Sequence, residues 1–188
     1  MRKIRIFEHI SLDGVISPPG DTGEWTTPYR TPAAAAVIAD TQGTCFDLLL
    51  GRRTYDLWAD YWPKVKGGLF ADSLNAATKY VATHRPDSLV WGPVEPLGKD
   101  FLEEIHRLKS RDGTDLIVWG SSTLTSVLLE RELVDEVMLL TYPLLLGQGK
   151  RFFSESADPR ELALVSTKAT SSGVLMNTYR HVGSLRTE

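Results

Sequence analysis

The chain has 188 residues, 42% of them hydrophobic, which suffices for one sizeable core and leaves little room for two. Acids and bases are interspersed and the formal net charge is −3, so the basic stripe that nucleic-acid backbones require is missing. Cys45 is the only cysteine, which excludes an internal disulfide, and the scattered His9, His84, His106 and His181 give no metal-ligand spacing.

The first strand is expected over residues 3–10, KIRIFEHI, where polar and apolar side chains alternate. Glu8, His9 and Asp13 interrupt this stretch far short of a signal-peptide core or a membrane span, which predicts a cytoplasmic protein. Residues 11–25 are crowded with Gly, Pro, Asp and Ser and read as a long loop, a length uncommon unless it serves a function. TPAAAAVIAD (31–40) reads as a helix, with a Thr N-cap, Pro at the first helical position and an alanine run. CFDLLLG (45–51) is a buried strand that gives way to a helix, and Cys45 at its start is expected to be buried and inert.

After a tryptophan-rich stretch, TKYVATH (78–84) and SLVW (88–91) read as strands, KDFLEEIHRLKS (99–110) as an amphipathic helix and DLIVWG (115–120) as another buried strand. SRDGTD (110–115) is a helix-to-strand turn, since a calcium loop would need more ligands. Helices alternating with apolar strands imply crossovers and a largely parallel sheet. The last third adds the helix STLTSVLLERE, then strands over 134–143, 161–170 and 174–182, the last two joined by a tight turn at Ser172 and Gly173, so the sheet is expected to end antiparallel.

Two strand-to-helix junctions stand out, because in such sheets ligands bind at the carboxyl ends of strands and helix N-termini attract phosphate. In LLLGRRTY (48–55), Gly51 permits close backbone approach, Arg52 or Arg53 can pair with phosphate and Thr54 can donate a hydrogen bond. In IVWGSSTLTSVLL (117–129), Gly120 ends the strand, Ser121 or Ser122 can cap the helix, and Leu124, Val127 and Leu128 bury its inner face. Taken alone, each junction is more often simple capping or a solvated helix start, and together they do not name a cofactor.

SLDG near the start, LLLGRRTYD, IVWGSSTLTSVLL and VDEVMLLTYPLLLGQGKRFF occur in an order and at spacings that resemble the dihydrofolate reductase superfamily. The chain is most similar to the branch holding the C-terminal reductase domain of the bifunctional riboflavin-biosynthesis deaminase-reductase and its stand-alone bacterial relatives, from about Lys3 to Arg180. The resemblance implies one domain over 1–188 with a three-layer α/β/α fold, a mixed, mostly parallel sheet of about eight strands, an antiparallel C-terminal hairpin, NADPH as hydride donor and a homodimer. It places Gly51, Arg52 and Thr54 on the family's Gly-Arg-x-Thr, with Arg52 near the adenosine 2′-phosphate, Thr54 on the pyrophosphate and Arg53 beside them. Thr83, His84 and Arg85 fall on the polar segment that completes the 2′-phosphate pocket. Gly120 and Ser121 fall on the family's Gly-Gly, leaving the N–H groups of Ser121, Ser122, Thr123 and Leu124 for the pyrophosphate. Asp13 starts the loop that closes over the nicotinamide, where it either orients substrate, locks the loop or simply forms an Asp-Gly turn.

Folate reductases carry a carboxylate on the helix before this strand, whereas this chain has alanines there, which argues against dihydrofolate as substrate. Tyr29, Glu24 and Asp40 are the nearby groups able to supply a proton or hydrogen bond. Trp25, Tyr29, Trp58, Tyr61 and Trp62 can wall a flat substrate or simply pack a core. Gly147 and Gly149 read as a permissive loop, with Lys150 and Arg151 as substrate contacts. The reading is an NADPH-dependent reductase resembling 5-amino-6-(5-phosphoribosylamino)uracil reductase, although no zinc-deaminase signature is present. The alternatives are a non-catalytic nucleotide-binding module or a true dihydrofolate reductase. A serine hydrolase built on Ser121 lacks the G-x-S-x-G elbow.

Overall fold

The computed structural model describes residues 1–20, 23–153 and 158–185. Residues 21 and 22 of the expected long loop lie outside this range. The strands are β1 (Ile4–Ser11), β2 (Val15–Ser17), β3 (Phe46–Gly51), β4 (Lys79–Ala82), β5 (Val94–Leu97), β6 (Asp115–Trp119), β7 (Glu136–Tyr142), β8 (Lys150–Arg151), β9 (Arg160–Ala169) and β10 (Leu175–Ser184). The α-helices are α1 (Pro32–Gln42), α2 (Arg52–Tyr61), α3 (Leu69–Ala76), α4 (Phe101–Ser110) and α5 (Ser122–Glu130).

The main sheet has eight strands in the order β5-β4-β3-β6-β1-β7-β10-β9. Every pairing from β5 to β7 is parallel, whereas β10 pairs antiparallel with both β7 and β9, so the expected C-terminal hairpin is present. Alternation along the central strands sends side chains to two separate cores. Ile4, Ile6 and Ile10 of β1 join Leu116 and Val118 of β6 against Ile105 and Leu108 of α4 and Leu124 and Leu128 of α5. Phe7 joins Leu48, Leu50, Ile117 and Trp119 on the opposite face, against Tyr55 of α2, Leu74 of α3 and the partly buried Val37 and Ile38 of α1. A sheet apolar on both faces must be covered on both, and the result is the three-layer α/β/α arrangement.

Local sequence explains most boundaries. Thr31 caps α1 by accepting from the Ala34 N–H at 3.1 Å, with Pro32 at the first helical position. The strand expected at 88–91 is instead a plug. The Trp91 N–H donates to the Tyr55 hydroxyl at 2.6 Å, its indole donates to Asn75 Oδ1 at 2.9 Å, and the Lys79 ammonium stands 4.3 Å over its ring. The ladder resumes only after Gly92 and Pro93, as β5. Helix α3 has no counterpart in the sequence reading, because it is eight residues long, starts from Gly68 and has no side-chain cap to announce it. Cys45 is exposed, contrary to expectation, since burial in this strand begins at Phe46. No helix among the described residues is long and apolar enough to cross a membrane.

The long loop carries β2, which pairs antiparallel with β8, and a 3-10 turn at Glu24–Tyr29. Gly149, at φ 140°, sits where this small ribbon closes: a Cβ there would stand 2.8 Å from Pro18 Cα and nearer still to the Ser17 carbonyl. It would meet backbone as well as Val15 Cγ1, at 2.8 Å, so moving one side chain aside cannot relieve the clash.

Glu8 is the anomaly of the core, only 4% exposed, with Oε1 accepting from the His9 N–H at 3.1 Å and Oε2 without a partner. Burial pushes its carboxyl up to about 8, with the His9 N–H opposing the rise.

Two stability measurements follow. Gly149→Ala should lower the urea midpoint, with a strain cost on the order of 1–3 kcal/mol. For Glu8, the folded state prefers the neutral acid while the unfolded chain ionises near 4.5. Its contribution is therefore intact below 4.5 and is lost progressively up to about 8. Glu8→Gln should flatten that decline and make the variant the more stable protein above pH ~8, by on the order of a few kcal/mol. Denaturant titrations across that range would show a parallel decline in both proteins if Glu8 were not its cause.

Candidate functional site

The carboxyl ends of β3, β4 and β6 lie side by side, because these strands are parallel and adjacent. Helices α2 and α5 start directly from the ends of β3 and β6. Neither helix has a side-chain cap at its N-cap residue, Gly51 or Ser121. The first-turn N–H groups, including those of Ser122, Thr123 and Leu124, are therefore left for another acceptor, and two positive dipole ends converge. The Leu124 side chain is buried and holds α5 against the sheet.

Ser121 does something other than cap. Its Oγ accepts from the Gly51 N–H at 2.9 Å and lies 3.1 Å from both Thr54 Oγ1 and the Trp119 carbonyl, while its own N–H donates to Thr54 Oγ1 at 3.1 Å. The two strand-to-helix turns are thus tied together through side chains of both. Gly120 and Ser121 both adopt left-handed backbone, at φ 56° and 57°. At Gly120 a Cβ would come within 3.4 Å of Thr54 Oγ1.

Arg52 is knitted into the next corner. Its Nε donates to Asp56 Oδ1 at 2.7 Å, Nη1 to the Arg85 carbonyl at 2.7 Å and to Thr83 Oγ1 at 3.3 Å, and Nη2 to Ser88 Oγ at 2.8 Å. Arg85 reaches the other Asp56 oxygen at 3.6 Å with most of its side chain in solvent. Arg53 and His84 are exposed close by in sequence. Asp56 and Ser88 were missed by sequence reading, although Asp56 follows Arg52 at the i,i+4 spacing of a helical ion pair. With Arg52, Arg53 and Arg85 against Asp56 and Asp87, this corner keeps a net positive charge.

The sites expected in the long loop divide. Asp13 accepts from the Ser11 hydroxyl at 2.6 Å and from the N–H groups of Leu146 and Gly147 at 3.1 and 2.7 Å. The Ser11 bond first, then these N–H groups, hold its carboxyl down at about 2, so it carries no proton to give. Arg151 donates to the Asp13 carbonyl, completing a clamp between the loops around 13 and 147. Lys150 is exposed on β8. Asp40 pairs outward with Lys168 at 3.0 Å, and Glu24 is exposed, so neither joins the site.

Trp25 and Tyr29 do meet, over a residue that sequence reading overlooked. Both rings approach Tyr142 edge-on, at 5.0 and 5.3 Å between centroids. The Tyr142 hydroxyl bonds His9 Nδ1 at 2.8 Å, and the His9 ring lies 5.3 Å from that of Trp119. Trp58 touches Trp119, while Trp62 packs on Phe70 of α3 as core. Burial, reinforced by the Arg30 charge, lowers His9 to about 4, and burial pushes Tyr142 up to about 12 against the pull of Arg30. The pair is neutral at working pH. One signal for it was available: His9 shares the face of β1 with the core residue Phe7.

Against known proteins, residues 2–176 match the model of the RibD C-terminal domain. The uncharacterized protein YyaP of Bacillus subtilis (strain 168) is 29% identical over 97% of this chain and 96% of its own length. The diaminohydroxyphosphoribosylaminopyrimidine deaminase/5-amino-6-(5-phosphoribosylamino)uracil reductase of Thermotoga maritima superposes at TM-score 0.68 and 17% identity, over 96% of this chain and 57% of that one. Dihydrofolate reductase from Enterococcus faecalis, complexed with NADP(H), superposes at TM-score 0.63 and 18% identity, over 95% of this chain and 96% of that one. At such identities the structural likeness speaks for the fold, a dihydrofolate reductase-like one, and the match over nearly the whole chain speaks for kinship. This chain belongs to the RibD C-terminal domain family.

Proposed function

We propose that this protein is a cytoplasmic, NADPH-dependent reductase acting on a small heterocyclic or carbonyl substrate, resembling 5-amino-6-(5-phosphoribosylamino)uracil reductase. The observation that carries the reading is the pair of tied, uncapped helix N-termini at Gly51 and Ser121, flanked by the cationic corner at Arg52. Such a cradle suits a pyrophosphate, and the neighbouring arginines and hydroxyls suit a further phosphate. NADPH, when bound, supplies the hydride.

The chain's own residues do the rest. Gly51, Thr54 and the N–H groups of Ser122, Thr123 and Leu124 hold the pyrophosphate, while Ser121, its own N–H given to Thr54, ties the two turns together. Arg52, Thr83 and Arg85, with Arg53 and His84 at the rim, select for a 2′-phosphate. Asp13 fastens the loop that shields the site from water, and Trp25 and Tyr29 wall the substrate side, with Lys150 at the outer edge of the lid. Pairing of two copies along the open β9 edge, where Leu164 and Val165 are 60% and 61% exposed, belongs to the same reading.

A second reading is favoured by α1, whose exposed Ala33, Ala35 and Ala36 and outward Asp40 give no carboxylate to the substrate side. That makes dihydrofolate a poor substrate and leaves room for a module that binds the dinucleotide without turning it over. NADPH consumption with a defined product would eliminate the binding-only alternative. A cell lacking its uracil reductase and failing to grow without riboflavin when given this protein would eliminate the narrower riboflavin assignment.

Calorimetric titration tests the cofactor itself. NADPH should bind more tightly than NADH, and Arg52→Ala should weaken NADPH roughly tenfold or more, the value of one lost charge-assisted contact, with NADH affected far less. Failure of the wild-type protein to bind either dinucleotide would overturn the reading.

A further inference from the structure

The strand edge that carries the cradle also carries a polar pair for which the reading above has no use. β6, β1 and β7 are successive parallel neighbours, so the carboxyl ends of β1 and β7 stand one and two strands from the Gly120 turn, roughly 5 and 10 Å across the sheet. His9 and Tyr142 occupy these ends and are hydrogen-bonded to each other at 2.8 Å. The rings of Trp25, Tyr29 and Trp119 pack around this pair.

The other candidate acids near the site are already committed. Asp13 is held ionised in its clamp, Asp40 is paired on the outer surface, and Glu24 points to solvent. Glu8 belongs to the opposite face of β1, since alternation puts it with Ile6 and Ile10. We propose that the Tyr142 hydroxyl is the proton donor to the substrate during reduction and that His9 is its positioning residue, an inference that rests on the reductase reading.

The step balances simply. As the carbon of a C=N or C=O group takes the hydride pair from a reduced nicotinamide, its nitrogen or oxygen takes the proton from Tyr142 Oη, and the O–H bond breaks to leave a phenolate. A neutral His9, as the Nδ1–H tautomer, donates to that phenolate oxygen, and water returns the proton after the product leaves. Arg30 is the charge that both groups feel. Its guanidinium bonds Thr26 Oγ1 at 3.0 Å and the Gly23 carbonyl at 2.9 Å, and its charge favours the phenolate. A phenol held up at about 12 keeps its proton at every working pH, yet is a stronger acid than the amine or alcohol that the reduction generates. Tyr142 is 4% exposed, so the substrate reaches it where the edges of Trp25 and Tyr29 move aside. Those rings belong to the short 3-10 helix that follows the long loop.

Tyr142→Phe keeps the ring and its packing and removes only the hydroxyl. With NADPH and a panel of pterin, pyrimidine and carbonyl acceptors, it should slow hydride-coupled turnover roughly a hundredfold or more, the usual worth of a general acid. KM and NADPH affinity should stay near wild type, and the solvent deuterium isotope effect should change. His9→Gln should lower kcat less, again with little change in KM. A readout independent of turnover is the ring nitrogen NMR of His9 in the cofactor-free protein. Saturating 5,6-diaminouracil should shift these resonances in the wild type, and less in Tyr142→Phe. An active wild type whose Tyr142→Phe variant keeps full kcat and an unchanged isotope effect would overturn the inference alone. A wild type that neither binds NADPH nor reduces any acceptor would overturn the reductase reading, and His9 resonances unmoved by the probe would remove the pair from the binding site altogether.

Discussion

The hydrogen bond from the Gly51 N–H to Ser121 Oγ, backed by Thr54, is the contact on which the site's geometry rests. It joins two strand-to-helix turns separated by 70 residues of sequence and fixes the relative position of the two helix starts. A cap contributed by Ser121 would have satisfied α5 internally and cancelled the anion-binding potential of its N-terminus. Spending the hydroxyl on the neighbouring turn keeps those N–H groups available while stiffening the seat. Left-handed backbone at Ser121 is the cost, on the order of 1–3 kcal/mol at a non-glycine residue, and strain of this kind is concentrated at functional sites.

Around that seat the structure separates charged from neutral groups by environment. Arg52 is fixed by four acceptors before any ligand arrives, so little side-chain entropy remains to be lost on binding. Asp13, in a polar clamp, stays ionised, whereas Glu8, His9 and Tyr142, in apolar surroundings, are held neutral. The Asp13 clamp and the steric closure at Gly149 act on the same two loops and tie them into one unit.

Most of the fold was legible because it is written in local signals. Alternation marked β1, the apolar runs marked β3 and β6, and Thr31 with Pro32 announced α1. The failures share one cause: tertiary partners decided them. Trp91 abandoned a strand for Tyr55 and Asn75, and α3 had only packing to define it. The site followed the same rule. The two strand-to-helix junctions are marked by glycines in the sequence, and the structure brings them together with Arg52 beside them. The pairing of His9 with Tyr142 joins residues 133 apart, which no spacing reveals.

That division bears on how the family varies. On the proposed reading, the dinucleotide is held by backbone N–H groups and a few fixed side chains at the ends of β3 and β6. Substrates differ, and the polar group that meets them can change element without disturbing the seat. In this chain α1 offers alanine where folate reductases carry a carboxylate, while β1 and β7 offer a half-buried imidazole and a buried phenol, one and two strands from the cradle. A neutral pair cannot grip a cationic or strongly basic ring as a carboxylate does, because it brings no charge to pair with. It can hydrogen-bond to a neutral C=N or C=O edge, and the aromatic walls around it stack on a flat ring whatever its charge. On the proposed reading, a phenol on a strand in place of a carboxylate on a helix favours neutral, planar heterocycles over protonated pterins.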